Sequence, residues 1–285
     1  MIDKYLDLMK PRIGTMVMVS TLIGYLLASE GKIQPVVLVI TLIGTFLSCA
    51  GAATLNCYLE RESDARMKRT CMRPLVTGEI SPANALALGI LLVLSGTSLL
   101  AAQVNLLTGF LALLTAFLYV LVYTPLKRIT WLNTMVGAIP GAMPPMGGWV
   151  AHTGHLDFGA WVMFSILFLW QHPHFFAIAW MYKDDYAAAG IKMLPVVDPD
   201  GRSTFRQIKI YSLLLIPVSL IPAFWGHLGS AYVIATGFAG AAMLYVGLLA
   251  SESRSRDDAW KLLKTSLIFL PALLIGILID YKLSV

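Results

Sequence analysis

Residues 36–57 read VVLVITLIGTFLSCAGAATLNC, and residues 58–75 continue YLERESDARMKRTCMRPL. The first stretch is uncharged and has the length of a helix that crosses a bilayer. The second carries three acidic and five basic side chains. Greasy helix followed by dense charge is the pattern of a polytopic membrane protein, and the rest of the chain repeats it. Apolar segments lie at 13–29, 36–57, 83–101, 105–123, 132–150, 160–182, 208–225, 231–250 and 262–280. Lipid offers the backbone no hydrogen-bond partners, so continuous runs of this length predict helices. The expected fold is all-α: nine transmembrane helices forming one bundle with a central cavity, in a single domain over 1–285.

Composition agrees. The 285 residues are 58% hydrophobic and only 13% charged, with a mean hydropathy of +0.74. A soluble domain carries about 25% charged residues, so the lipid bilayer is part of this chain's solvent. A pI near 9.1 suits positive charge kept on cytoplasmic loops, and no motif or basic tail points to nucleic acid. Of the 21 Lys and Arg, all but Lys32 and Lys282 fall on the N-terminal side of the predicted spans. That asymmetry predicts a cytoplasmic N-terminus and an outer C-terminus in a bacterial cytoplasmic (inner) membrane. The N-terminus, with Lys10-Pro11-Arg12 before a long apolar run, does not read as a cleaved signal. Cys49, Cys57 and Cys71 have neither a paired metal spacing nor an even count for a disulfide framework.

Three constellations carry chemistry. Asn56, Glu60 and Asp64 recur every fourth residue, which on a helix spreads them along one face over about 12 Å. An amide and two carboxylates are hard oxygen donors suited to Mg²⁺, which shares its coordination with water and substrate phosphates. Arg66, Arg69 and Arg73 follow as a basic stripe on the same helix, with Pro74 ending it, and their forked guanidinium groups suit phosphate oxygens. Lys127 and Arg128 make a second basic point, and Asn133 opens the next helix. In the sixth segment, Trp170-Gln171-His172-Pro173-His174-Phe175 sets two histidines about a proline at mid-membrane depth, where polar groups need a cavity or a partner. A proline kink, a proton relay, a porphyrin contact and a general base all fit. Asp184-Asp185 lies at the cytoplasmic end of that segment. His152, His155 and His227 read as outer-surface histidines.

The stretch Asn56–Leu75 resembles the first aspartate-rich motif of the intramembrane aromatic prenyltransferases. Its Arg69-Thr70 and Arg73-Pro74 pairs are similar to the protohaem farnesyltransferase (haem O synthase) branch. So are Lys10-Pro11-Arg12, Leu126-Lys127-Arg128 with Asn133-Thr134 and Gly137, the Trp170–Phe175 run, and Asp185-Tyr186 through Met193-Leu194-Pro195-Val196. The resemblance implies Mg²⁺-dependent transfer of farnesyl from farnesyl diphosphate to a vinyl group of haem B, with the haem O product passing to a haem A synthase or terminal oxidase. Carried over by position, Asn56, Glu60, Asp64 and Asp185 would hold metal and act in catalysis. Lys10, Arg69, Arg73, Lys127, Arg128 and Asn133 would contact substrate, and His174 would place the porphyrin or manage a proton. Two departures stand out: Glu60 occupies a position usually held by Asp, and Asp185 is followed four residues later by Ala189 rather than a second aspartate. A transferase for a quinone-precursor or other aromatic acceptor would share the cation chemistry but carry that second aspartate.

Overall fold

The computed structural model describes residues 2–225 and 228–283, so His227 lies outside the described residues. All regular structure among the described residues is helical. A short α1 (Ile2–Met9) leads into α2 (Pro11–Ser29), α3 (Pro35–Asp64) and α4 (Pro82–Gln103). Next comes a composite span: α5 (Leu106–Phe117), a π-helical stretch (Leu118–Tyr123) and α6 (Thr124–Leu126). Then follow α7 (Asn133–Thr153), α8 (Phe158–Met181), the short α9 (Lys183–Ala188) and α10 (Leu194–Val197), and α11 (Arg202–Leu220), α12 (Ser230–Ser253) and α13 (Arg256–Leu283).

Eight of the described helices are long and apolar enough to cross a membrane. The ninth expected span forms α7, a continuous 21-residue helix that falls outside that group. It carries Pro140, Pro144 and Pro145 and buries thirteen residues against α2, α5 and α8. A helix enclosed by other helices has less need of a lipid-facing apolar surface, so its composition is diluted. The chain is a multi-pass membrane protein.

Helix starts follow local chemistry. Pro11, Pro35 and Pro82 sit in the first turns of α2, α3 and α4, where no amide partner is needed. Ser81 and Asn105 accept hydrogen bonds from the Asn84 and Thr108 amides and so cap α4 and α5. Asp280 of α13 reaches across to accept from the amides of Gly229, Ala231 and Tyr232 at the start of α12. That satisfies amides which a helix N-terminus leaves without intrahelical partners. Helices α3 and α4 meet through glycines: a Cβ on Gly51 would lie 2.6 Å from the Val93 nitrogen, and one on Gly96 2.5 Å from the Gly44 oxygen. Small residues bring helix backbones together in lipid, where water supplies no hydrophobic drive.

One local expectation is corrected. The helix bearing Asn56, Glu60 and Asp64 ends at Asp64, and residues 65–80 run as successive turns, so Arg66, Arg69 and Arg73 form no helical stripe. Thr70 donates its hydroxyl to the Asp64 carbonyl at 2.9 Å, satisfying a helix-end acceptor. Met67 is buried among Ala179, Ala189, Ile191 and Met193, which pulls the chain off the helix axis. Side-chain capping and burial thus override a helical pattern that charge spacing alone suggests.

Candidate functional site

The long α3 carries its polar face out of the apolar zone as expected, and each polar residue meets a cation from a different element. Lys10 Nζ donates to Asn56 Oδ1 at 3.0 Å. Lys127 Nζ pairs with Glu60 Oε1 at 2.7 Å, and Arg73 pairs with Asp64 Oδ2 at 2.5 Å. The result is a ladder of three amide or carboxylate rungs, each faced by a basic side chain. Asn56 also donates through Nδ2 to Thr124 Oγ1 at 3.0 Å, which ties α3 to the end of the π-helical stretch. Lys10 itself has a left-handed backbone (φ 50, ψ 61), unusual for a side chain of its size and more so before a proline. Such strain is tolerated where surroundings over-determine it; here α1, Pro11 and the Asn56 contact do so.

The electrostatics favour charge on these rungs. Burial alone would lower the pKa of the Lys127 ammonium, but Tyr123, Glu60 and Tyr119 more than reverse this, leaving it above the ordinary lysine range. Its ammonium also lies over the Tyr123 ring, 4.6 Å from the centroid. Burial likewise opposes the charge on Arg73, and Asp64, together with Cys57 and Glu60, outweighs it.

The remaining expected residues divide. Arg128 donates to Ser63 Oγ (Nη2 at 2.6 Å, Nε at 3.2 Å), beside the ladder rather than on it. Arg69 donates to Tyr186 Oη at 2.8 Å and lies 5.1 Å from the centroids of both Tyr182 and Tyr186, joining the 65–80 turns to α9. Asn133 is fully buried, and its amide donates to the carbonyls of Thr130 and Lys192. With the Lys192 amide donating to the Lys127 carbonyl at 2.8 Å, it fixes the loop that carries Lys127. Asp185 is half-exposed on α9, with no hydrogen bond or ion pair to its carboxylate among the described residues.

No three His, Cys, Asp or Glu side chains gather around one point among the described residues. Asn56, Glu60, Asp64 and Asp185 therefore do not form a closed protein cage. One atom nevertheless calls for a cation: Asp64 Oδ1 is buried without a hydrogen-bond partner. A lone buried carboxylate oxygen, with Glu60 one turn away, fits a hard ion that draws its other ligands from water and phosphate.

Beneath the ladder lies a cavity of about 600 Å³ between α2, α3, α5, α7, α8 and α13. Lys10 and Arg12 stand at its charged end, and Leu100, Thr108 and Leu111 line the part reached by the opposite ends of α4 and α5. Cys49, Ala52 and Ala53 keep the α3 wall shallow. Tyr119 and Tyr123, from the π-helical stretch, line it next to Lys127. Charge spacing gave no sign of this stretch; π-helical turns recur at functional sites.

The two mid-membrane histidines point different ways. His174 lines the cavity beside Trp170, whose ring stacks on it at 4.9 Å and 20°. His172 is wholly buried on the other side of α8, stacked on Tyr211 of α11 at 3.8 Å and 11°. Of the outer histidines, His155 is exposed beside Asp157, and His152 is half-buried against Tyr25.

Known proteins share this fold. The UbiA prenyltransferase family matches residues 17–270. A protoheme IX farnesyltransferase of Solibacter usitatus is 47% identical, with 97% of this chain and 98% of that protein covered. One from Salinibacter ruber is 44% identical, with 99% of this chain and all of that protein covered. Among solved structures, a digeranylgeranylglyceryl phosphate synthase superposes with a TM-score of 0.79 at 19% identity, covering 97% of this chain and 98% of that one. A UbiA homologue from Archaeoglobus fulgidus bound to GPP and Mg²⁺ gives 0.71 at 17%, covering 96% and 99%.

Proposed function

This chain belongs to the UbiA prenyltransferase family, and we propose that it transfers a farnesyl group from farnesyl diphosphate to a vinyl group of haem B, forming haem O. Full-length similarity to proteins named for that reaction supports the acceptor. The carrying observation in the structure is Lys10, which faces the Asn56 rung of the ladder and also stands at the charged end of an apolar cavity. A diphosphate head and an isoprenoid tail need those two environments side by side.

Asn56, Glu60 and Asp64 would hold Mg²⁺, with Asp64 Oδ1 the oxygen most open to it; Asp185 would join from α9 once substrate is bound. When bound, Mg²⁺ supplies positive charge that makes diphosphate a better leaving group. Lys10, Lys127 and Arg73 face the same helix edge, so diphosphate oxygens compete with Asn56, Glu60 and Asp64 for their hydrogen bonds. Donors preset at the place where charge develops lower the barrier electrostatically. Arg69 and Arg128 would extend the anion contact, and Asn133 positions Lys127 through the loop. The farnesyl tail lies among Met16, Leu111, Met143 and Leu167, whose apolar surfaces exclude water from the allylic cation. Cleavage of the C–O bond releases diphosphate, attack by the vinyl carbon on the allylic cation forms the new C–C bond, and water captured at the resulting cation loses a proton to leave a hydroxyethylfarnesyl substituent. We assign the whole chain to one domain in a bacterial inner membrane, with the ladder facing the cytoplasm and the product handed to a haem A synthase or terminal oxidase.

The test is haem extraction and mass analysis after incubating membranes containing the protein with haem B, farnesyl diphosphate and Mg²⁺, with and without chelator. A chelator-sensitive gain of one farnesyl and one hydroxyl group is expected. No gain with haem B, but prenylation of a hydroxybenzoate, would refute the acceptor.

A further inference from the structure

His174 has one ring nitrogen committed and one left over. Its Nδ1 lies 2.8 Å from Ser266 Oγ on α13. Ser266 is fully buried, and its hydroxyl donates to the Leu263 carbonyl at 2.7 Å. A serine hydroxyl has a single hydrogen. That hydrogen is spent on Leu263, so Ser266 accepts from His174 and the imidazole carries its proton on Nδ1. Nε2 then holds a lone pair. It makes no hydrogen bond among the described residues, and the ring it belongs to forms part of the cavity wall. The ring plane is fixed by the stack on Trp170, whose own Nε1–H donates to the Ser266 carbonyl at 2.8 Å. One residue of α13 thus sets both the tautomer and the orientation of the histidine.

His172 is an internal control. Its Nδ1 lies 2.6 Å from the Phe168 carbonyl, which can only accept, so it holds the same tautomer. Its Nε2 is sealed, buried without a partner. Two histidines on one helix carry the same lone pair, and only one opens to the cavity.

A free imidazole lone pair can take a proton or a metal. Among the described residues no carboxylate lines the cavity, and its charged lining groups, Lys10 and Arg12, are cations. An imidazolium there would be desolvated without a counter-charge. A neutral nitrogen ligand has no such penalty, and imidazole with its other N–H hydrogen-bonded is the usual ligand for haem iron. We propose that Ser266 holds His174 in the Nδ1–H form so that Nε2 ligates the iron of the haem acceptor and fixes its vinyl group against the farnesyl chain. His174 touches the substrate; Ser266 and Trp170 are positioning residues. This rests on haem being the acceptor.

The test is spectroscopic, on the whole protein in lipid nanodiscs. Haem B should give a histidine-ligated absorption spectrum and, when ferrous, an iron–histidine stretching band. His174→Ala should lose both, and free imidazole should restore the ligated spectrum. Ser266→Ala should shift the band and weaken haem binding about tenfold, and Ser266→Thr should restore both. Metal-free protoporphyrin should bind wild type and His174→Ala equally. An unchanged haem spectrum in His174→Ala would overturn the proposal, as would an equal loss of affinity for haem and metal-free protoporphyrin. Farnesylation of haem is assayed in parallel. Transfer without a histidine signature refutes the ligation alone; a wild-type protein that neither binds nor farnesylates haem refutes the acceptor assignment beneath it.

Discussion

Arg73→Gln and Asp64→Asn remove opposite halves of one ion pair, and they should differ in a way that magnesium reverses. The Asp64 side chain is 2% exposed and the Arg73 side chain 28%. In Arg73→Gln, a carboxylate whose Oδ1 already lacks a partner loses the partner of Oδ2 as well. Stranding a buried charge this way costs about 3–5 kcal/mol. In Asp64→Asn, the guanidinium keeps its access to water and the amide oxygen still accepts, so the loss is nearer about 1–2 kcal/mol. Without metal, Arg73→Gln is therefore the less stable variant by about 2–3 kcal/mol, the difference between those two ranges. Mg²⁺ with inorganic diphosphate at a hundred times the dissociation constant should add about 2.7 kcal/mol to any form that binds. Arg73→Gln retains the carboxylate and should gain; Asp64→Asn has lost it and should not. Thermal unfolding in detergent reads the result, at about 2–4 °C per kcal/mol. If Asp64→Asn gains as much from Mg²⁺ and diphosphate as wild type does, Asp64 is not the metal's oxygen and the assignment of the ladder fails.

Three further expectations use different elements. Lys127→Met removes the donor that faces Glu60, and farnesyl-transfer rates should fall about 10²–10³-fold, measured by product mass at saturating substrate. A Cβ on Gly96 would meet the Gly44 oxygen at 2.5 Å and the Ser48 nitrogen at 2.6 Å, whereas one on Gly147 meets nothing within 4 Å. Gly96→Ala should thus destabilise by about 1–3 kcal/mol through forced separation of α3 and α4, and Gly147→Ala by no more than about 0.5 kcal/mol, compared in parallel melts. Finally, Cys71 lies in the charged turns after α3. In a Cys49→Ser background, a membrane-impermeant maleimide should label it in inside-out vesicles and spare it in right-side-out ones; the reverse pattern would invert the orientation.

Much of this was legible in the sequence because lipid imposes few choices. Apolar runs near twenty residues had to be helices, and the strongly one-sided Lys and Arg distribution matches the end at which Lys10, Arg73 and Lys127 now meet α3. The four-residue spacing of Asn56, Glu60 and Asp64 needed only that α3 continue past its apolar stretch, which it does. The arginine stripe failed because periodicity cannot report that Thr70 caps the Asp64 carbonyl or that Met67 has a buried seat. Asn133 illustrates a different gap. Its position beside Lys127-Arg128 suggested substrate, yet its amide is spent on the Thr130 and Lys192 carbonyls. Which backbone acceptors a side chain will find is set by the loop's path, not by its neighbours in sequence.

Pairing also bears on how the site is kept ready. Carboxylates and cations buried together near a membrane would be costly if left apart, and each rung here offsets that cost by pairing. In the proposed reaction, the same pairing holds Lys10, Lys127 and Arg73 beside α3 before a diphosphate arrives. A ligand bringing both negative oxygens and a divalent ion can then exchange every contact without leaving a charge bare: the oxygens take the cations while the metal takes Glu60 and Asp64. Free diphosphate without the ion, or the ion without diphosphate, would satisfy only one side and strand the other. The ladder should accordingly bind the two together far better than either alone. Titration calorimetry would show this as strong positive coupling between Mg²⁺ and diphosphate, whereas independent binding would mean that the ion pairs stay closed during turnover.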